Sequence, residues 1–202
     1  RRSRTARESV DRDGEPLPWY TYPAIEYLRQ LDLSSARVFE WGAGGSSLFW
    51  SSRCREVISV ERNPQWYEKI SAQAPDNLEV LLVENDPEYA NEIANRGQFD
   101  VIAIDGESRR DCAEAALAHW TRGGLIVVDN SDWYTRAPKF LRDAGLLQVD
   151  FSGFGPINDY TWSTSLFFHG TLQFAPLGER LPMHGAGALE QFAAEDLPGG
   201  DT

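Results

Sequence analysis

Residues 38–47 read VFEWGAGGSS, a short apolar run that ends on Glu40 and Trp41 and then breaks into three glycines and two serines. Such a run before a glycine cluster reads as a strand entering a tight turn, with a helix beginning near Ser46. The same punctuation recurs. RVFEW is followed by EVISVE, LEVLLV, FDVIAID and GLIVVD, with segments of helical pattern such as PQWYEKISAQA and RDCAEAALAHW between them. Strand and helix alternating five times predicts a parallel sheet covered on both faces. After Asp129 the order changes. A short helix over residues 139–144 leads to LLQVDFSGF and then to STSLFFH, two strands with no helix between them, which predicts an antiparallel hairpin at the sheet edge. The expected fold is α/β: a doubly wound, mostly parallel seven-stranded sheet with a C-terminal antiparallel hairpin.

Composition sets the limits on function. A chain of 202 residues, 42% hydrophobic and 12% aromatic, can bury one sizeable core. Residues 1–18 carry five arginines among acids, Pro and Gly without apolar periodicity, and are read as a flexible N-terminal segment. Residues 19–171 form the patterned domain, and residues 172–202, rich in Gly, Ala, Pro and acids, read as a peripheral tail. The net charge of −12 repels nucleic-acid backbones and anionic lipid, so neither is an expected partner. Cys54 and Cys112 have no metal-ligand spacing and suit a reducing compartment. No apolar stretch reaches the length of a membrane span and no signal core is present, so a cytoplasmic location is expected. Arg1 rather than Met stands first, and the sequence is read as trimmed or excised from a longer one.

The glycine turn gains meaning from its neighbours. Gly42, Gly44 and Gly45 follow the first parallel strand, where an open α/β sheet binds nucleotides and where glycine lets a ligand approach the main chain. Glu61 ends the second strand, placed to accept the two hydroxyls of a ribose. Glu40, directly before the glycines, would repel a pyrophosphate but suits a ligand carrying an ammonium and a sulfonium. The dinucleotide pattern G-x-G-x-x-G would also place glycine at Ser47. Both features disfavour a nicotinamide oxidoreductase, one of two alternatives; the other is a non-catalytic nucleotide-fold interaction module.

With EWGAGGSS, Glu61, FDVIAID and GGLIVVDN in this order, residues 19–170 resemble the class I S-adenosylmethionine-dependent methyltransferases. The resemblance implies S-adenosylmethionine as cofactor, with Glu40, Gly42, Ala43, Gly44, Gly45 and Ser46 at its methionine end. It implies Glu61 and the adjoining Arg62 at the ribose, and Asn85 or Asp86 beside the adenine. The commonest first motif is G-x-G-x-G, and here its third glycine is Ser46. Trp19, Tyr20 and Tyr22 are read either as a lid or as packing under the first helix.

The acceptor side rests on carboxylates. Asp105 closes the fourth strand, while Asp129 and Asn130 close the fifth, so adjacent strands deliver three oxygen ligands to one sheet edge. That set could hold Mg²⁺ and resembles the cation-dependent small-molecule O-methyltransferases. Where those enzymes carry a lysine near the first Asp, this chain has Ser108, then Arg109 and Arg110. Without a cation, two facing carboxylates would repel, and one is expected to turn away or pair with Arg109 or Arg110. Otherwise Asp105 is expected to contact cofactor or substrate directly as the catalytic residue. The expected activity is methyl transfer to a hydroxyl or amine of a small-molecule acceptor.

Overall fold

The GAGG turn sits at the centre of the molecule because β1 (Arg37–Trp41), the strand leading into it, is the middle strand of a seven-stranded sheet. The computed structural model describes residues 8–170 together with Ser3 and Phe174. The other strands are β2 (Glu56–Glu61), β3 (Leu78–Leu82), β4 (Phe99–Ile104), β5 (Trp120–Val128), β6 (Leu147–Gly153) and β7 (Trp162–Phe168). Their order is β3-β2-β1-β4-β5-β7-β6, with β1 to β5 parallel and β7 antiparallel to both its neighbours, as the strand pattern predicts. The chain leaves β1 toward β2 on one side and reaches β4 on the other, so the topological switch point lies between β1 and β4.

The helices are α1 (Tyr22–Leu28), α2 (Gly45–Ser51), α3 (Pro64–Ser71), α4 (Asp86–Asn91, continued by a 3₁₀ turn over Glu92–Asn95), α5 (Arg109–His119) and α6 (Arg136–Asp143). Local signals start α3: Pro64 follows Asn63, whose side chain accepts from the backbone N–H groups of Gln65 and Trp66. No helix among the described residues is long and apolar enough to cross a membrane.

Two-residue periodicity sorts the central strands into two cores. Val38, Val57, Val101, Ala103, Leu125 and Val127 pack toward Tyr20, Leu28 and Trp50. Phe39, Trp41, Ile58, Ile102, Ile126 and Val128 pack toward Tyr89, Cys112 and Leu141. Burial on both faces explains why these strands read as continuous apolar runs. The periodicity also has a chemical result. Glu40, Ser59 and Glu61 share the parity of Val38 and Val57. Asp105 and Asp129, one position beyond the paired strand residues, share that of Ala103 and Val127. The polar residues at and just beyond the carboxyl ends of the central strands are therefore aimed at one face.

The expected boundary at residue 18 differs from what the structure shows for residues 8–18, which fold back onto the domain. Asp11 accepts through Oδ1 from the backbone of Asp13, Gly14 and Glu15, Val10 bridges Pro16, and Leu17 is buried. Lys69 holds Glu8 at 3.1 Å and Arg29 holds Asp11 at 3.2 Å. Those partners lie far along the sequence, which is why local composition reads as an unattached lead-in. The expected tail, apart from Phe174, lies outside the described residues.

Candidate active site

At the switch point the loops after β1 and β4 meet backbone to backbone. Gly42 has φ +96°, and a Cβ there would come within 2.8 Å of Gly106 N. A Cβ on Gly45 would come within 2.6 Å of the Leu17 carbonyl. Gly42 and Gly45 are thus demanded by the protein's own packing. Gly44 is different: its backbone is extended at φ −175°, and a Cβ would meet only Ser46 Oγ, at 3.9 Å. Its bare face opens into a cavity of about 750 Å³ along the carboxyl edge of the sheet.

At the β2 end, that cavity is walled by Glu61, Asn63 and Trp66. Glu61 Oε1 accepts from the backbone N–H groups of Arg62 (2.9 Å) and Asn63 (2.7 Å), which fixes the carboxylate in the wall. Burial lifts its pKa above the ordinary carboxylate value. Arg62 donates to Asp86, Glu107 and the Glu84 carbonyl, bracing the loops after β2, β3 and β4.

At the β5 end the floor is built on Arg109, only 6% exposed. Its Nη2 donates to the Asp105 carbonyl (2.9 Å) and pairs with Asp105 Oδ1 (3.2 Å). Nη1 donates to the Asp129 carbonyl and Nε to the Gly106 carbonyl (2.8 Å). Its Cζ lies 4.1 Å from the centre of the Tyr134 ring. Asp129 Oδ1 accepts from Trp162 Nε1 (3.0 Å) and Thr164 Oγ1 (2.5 Å). Burial raises the pKa of Asp129 to about 6. Burial, then the facing Asp129, push Asp105 well above the carboxylate range, with Arg109 opposing. Over this floor stand the exposed rings of Trp133 and Tyr160, 5.9 Å apart.

The chain has the fold of solved methyltransferases. The precorrin-6y C5,15-methyltransferase of Geobacter metallireducens matches with a TM-score of 0.55 at 17% identity, over 73% of this chain and 87% of that one. A methyltransferase of Pyrococcus furiosus matches at 0.54 and 17%, over 73% and 83%. The MycE methyltransferase of the mycinamycin biosynthetic pathway, solved with Mg and S-adenosylhomocysteine, matches at 0.50 and 21%, over 69% and 43%. No protein-family model and no curated protein sequence matches the chain.

On this fold, Gly42, Ala43, Gly44, Gly45, Ser46, Glu61, Arg62, Asp105, Asp129 and Asn130 share one cavity wall. Three of the expected residues do not. Glu40 lies fully buried beneath the wall, because its β1 register sets it beside Ser59 and Ala103. Its Oε2 accepts from Ser47 Oγ (2.5 Å) and Ser59 Oγ (2.8 Å), while Oε1 has no hydrogen-bond partner among the described residues. Burial raises its pKa to about 7. Asn85 and Asp86 are exposed and outside the wall: Asn85 is the residue before α4, and Asp86 is engaged by Arg62 and Ser108.

The three expected metal ligands, Asp105, Asp129 and Asn130, line the cavity together with Arg109. No group of three His, Cys, Asp or Glu side chains able to hold a metal occurs among the described residues. Of the three expected ligands, Asp105 is paired with Arg109 and Asp129 Oδ1 already accepts two hydrogen bonds, while Asn130 adopts a left-handed turn at φ 46°. With its guanidinium paired to the Asp105 carboxylate and donating to the Asp129 carbonyl, Arg109 makes the pairing expected of these acids without a cation. Arg110 points away, to Glu114 and the Phe140 ring. Sequence reasoning left Arg109 and Arg110 undistinguished, since only the α5 helical phase separates them. It also missed Trp133, whose ring partner Tyr160 is distant in sequence, and Trp66, which reads as an ordinary helix residue beside Asn63 and Lys69.

Proposed function

We propose that this protein is an S-adenosylmethionine-dependent methyltransferase acting on a small molecule. The observation that carries the reading is the bare face of Gly44 opening onto the same cavity as the fixed Glu61 carboxylate. One side needs close backbone approach and the other a hydroxyl-bearing ligand, and S-adenosylmethionine offers both. When bound, it supplies a methyl group on a sulfonium. Glu61 would hold the ribose hydroxyls, Gly44 and the Gly45–Ser46 backbone the methionine end, and Trp66 the side nearest the base. The cavity volume of about 750 Å³ accommodates a cofactor and a small acceptor together. The net charge of −12 argues against a nucleic-acid acceptor. The nicotinamide alternative is disfavoured, because an ionised Glu40 buried beneath the turn would repel a pyrophosphate seated above it.

S-adenosylhomocysteine should raise the melting temperature and NAD should not. Glu61→Ala should weaken S-adenosylhomocysteine by about tenfold or more, since ribose hydroxyls lose a charged acceptor. Stabilisation by NAD alone would rule this reading out. Because Arg109 supplies a positive charge to both acids, turnover should be unchanged in EDTA and gain nothing from added Mg²⁺. Loss of activity on chelation, restored by Mg²⁺, would return Asp105 and Asp129 to a metal role.

A further inference from the structure

The β5 end of the cavity carries a charge pattern that selects among acceptors. Five acids line the cavity, Glu8, Glu61, Asp105, Glu107 and Asp129, against three cations, Arg62, Lys69 and Arg109. Each cation already has a carboxylate partner: Arg62 with Glu107 and Asp86, Lys69 with Glu8, Arg109 with Asp105. Arg109 also spends donors on the carbonyls of Asp105, Gly106 and Asp129. No cation of the described wall is without a carboxylate partner, so a carboxylate or phosphate on the acceptor would have to compete with one. Around the mouth, Trp133 (54% exposed) and Tyr160 (48% exposed) offer ring faces above an acidic floor. Rings over carboxylates recognise organic cations by cation–π attraction and charge.

The reaction itself separates amines from hydroxyls at such a floor. A hydroxyl becomes a good nucleophile as an oxyanion, which would form beside Asp105 and Asp129 with the nearest guanidinium already committed. An amine attacks as a neutral group and gains positive charge in the transition state, which the ring faces and the remaining acid, Asp129, favour where an oxyanion would be repelled. We propose that the acceptor is an aromatic amine without an anionic group, its ring against Trp133 and Tyr160 and its nitrogen facing the Asp105 carboxylate. This rests on the methyltransferase reading above. The ammonium form binds and gives one proton to Asp105. The nitrogen lone pair then forms the N–C bond as the C–S bond breaks, its electron pair staying on sulfur as a thioether and the positive charge passing to nitrogen. Asp105 returns its proton to solvent. The high proton affinity of Asp105 suits that exchange.

Calorimetric titration of the protein saturated with S-adenosylhomocysteine tests the assignment without turnover. The probes are phenethylamine and tryptamine, the matched alcohols 2-phenylethanol and tryptophol, and the matched carboxylates 3-phenylpropionate and indole-3-propionate. The amines should bind about tenfold or more tightly than the alcohols, and the carboxylates should show no saturable binding. Trp133→Ala should weaken tryptamine about fivefold and Trp133→Phe much less, with both variants still thermally shifted by S-adenosylhomocysteine as a check of fold. Alcohols or carboxylates binding as well as the amines would overturn the assignment. So would amines that fail to saturate at millimolar concentration while S-adenosylhomocysteine still stabilises the protein. Absence of that stabilisation would sink the methyltransferase reading and this assignment with it.

Discussion

Arg109→Ala is expected to lower stability by about 3–5 kcal/mol, the cost of leaving buried charge without its partner. In a domain of this size that corresponds to a melting temperature lower by roughly 10 °C. The guanidinium is 6% exposed, pairs with the Asp105 carboxylate and lowers the pKa of both acids, so its removal leaves Asp105 and Asp129 repelling each other without a counter-charge. The deficit should depend on pH with a definite sign. Both acids have folded pKa values above their ordinary ones, and without Arg109 these rise further. Protonated acids need no counter-charge. The deficit should therefore be full at pH 8 and shrink as the pH falls toward the ordinary carboxylate range. Adding Asp105→Asn to the variant should recover part of the loss, because the remaining acid then has no like-charged neighbour. Thermal melts of the single and double variants at pH 5 and pH 8 check this. A deficit equal at both pH values would mean that Arg109 acts through packing against Tyr134 instead of charge.

What could be seen from sequence follows the range of the forces involved. The strands were legible because burial on both faces forces unbroken apolar runs: RVFEW and EVISVE coincide with β1 and β2. The hairpin was legible because no helical segment separates LLQVDFSGF from STSLFFH. β5 proved longer than its apolar run, reaching back to Trp120 through Gly123 at φ +103°. A helical reading of EAALAHW extends past that point because Trp120 is compatible with either state, and its pairing with Phe99 decides the matter. In the site, chain order placed Glu61, Asp105 and Asp129 at strand ends. It could not tell a carboxylate in the wall from one beneath it. Glu40 and Glu61 share a face, yet only Glu40 is covered, because Ser47 of α2 and Ser59 of β2 close over it. It likewise could not place residues 8–18, whose anchors Arg29 and Lys69 lie on other helices or their ends.

Glu40→Gln should make the protein more stable at pH 8, by up to about 3 kcal/mol. The fully buried Glu40 has a folded pKa of about 7 against an ordinary value of 4.5. A raised carboxylate favours the folded state fully below its unfolded pKa, and that contribution is lost as pH rises from 4.5 through 7. Above pH 7 the wild-type protein must carry an ionised carboxylate that two hydroxyls, Ser47 and Ser59, only partly stabilise. A glutamine oxygen can accept the same two hydrogen bonds without the charge. The gain should therefore be largest at pH 8 and vanish near pH 4, where glutamate is protonated in both states. Melting curves across that interval read the difference directly. A variant less stable at every pH would show that the amide N–H₂, set where Glu40 Oε1 has no hydrogen-bond partner among the described residues, costs more than the charge it removes. Selection for stability alone would not keep a buried acid at such a cost, and its charge lies directly under the turn that would hold a cationic ligand. A positive charge above the turn should pull the Glu40 pKa back down. The affinity for S-adenosylmethionine, measured by calorimetry, should then rise between pH 6 and pH 8 in the wild-type protein. It should lose most of that rise in Glu40→Gln, because no proton remains there to be displaced. An equal pH dependence in both proteins would free Glu40 of any part in binding and leave it a stabilised acid of the β1–β2 packing alone.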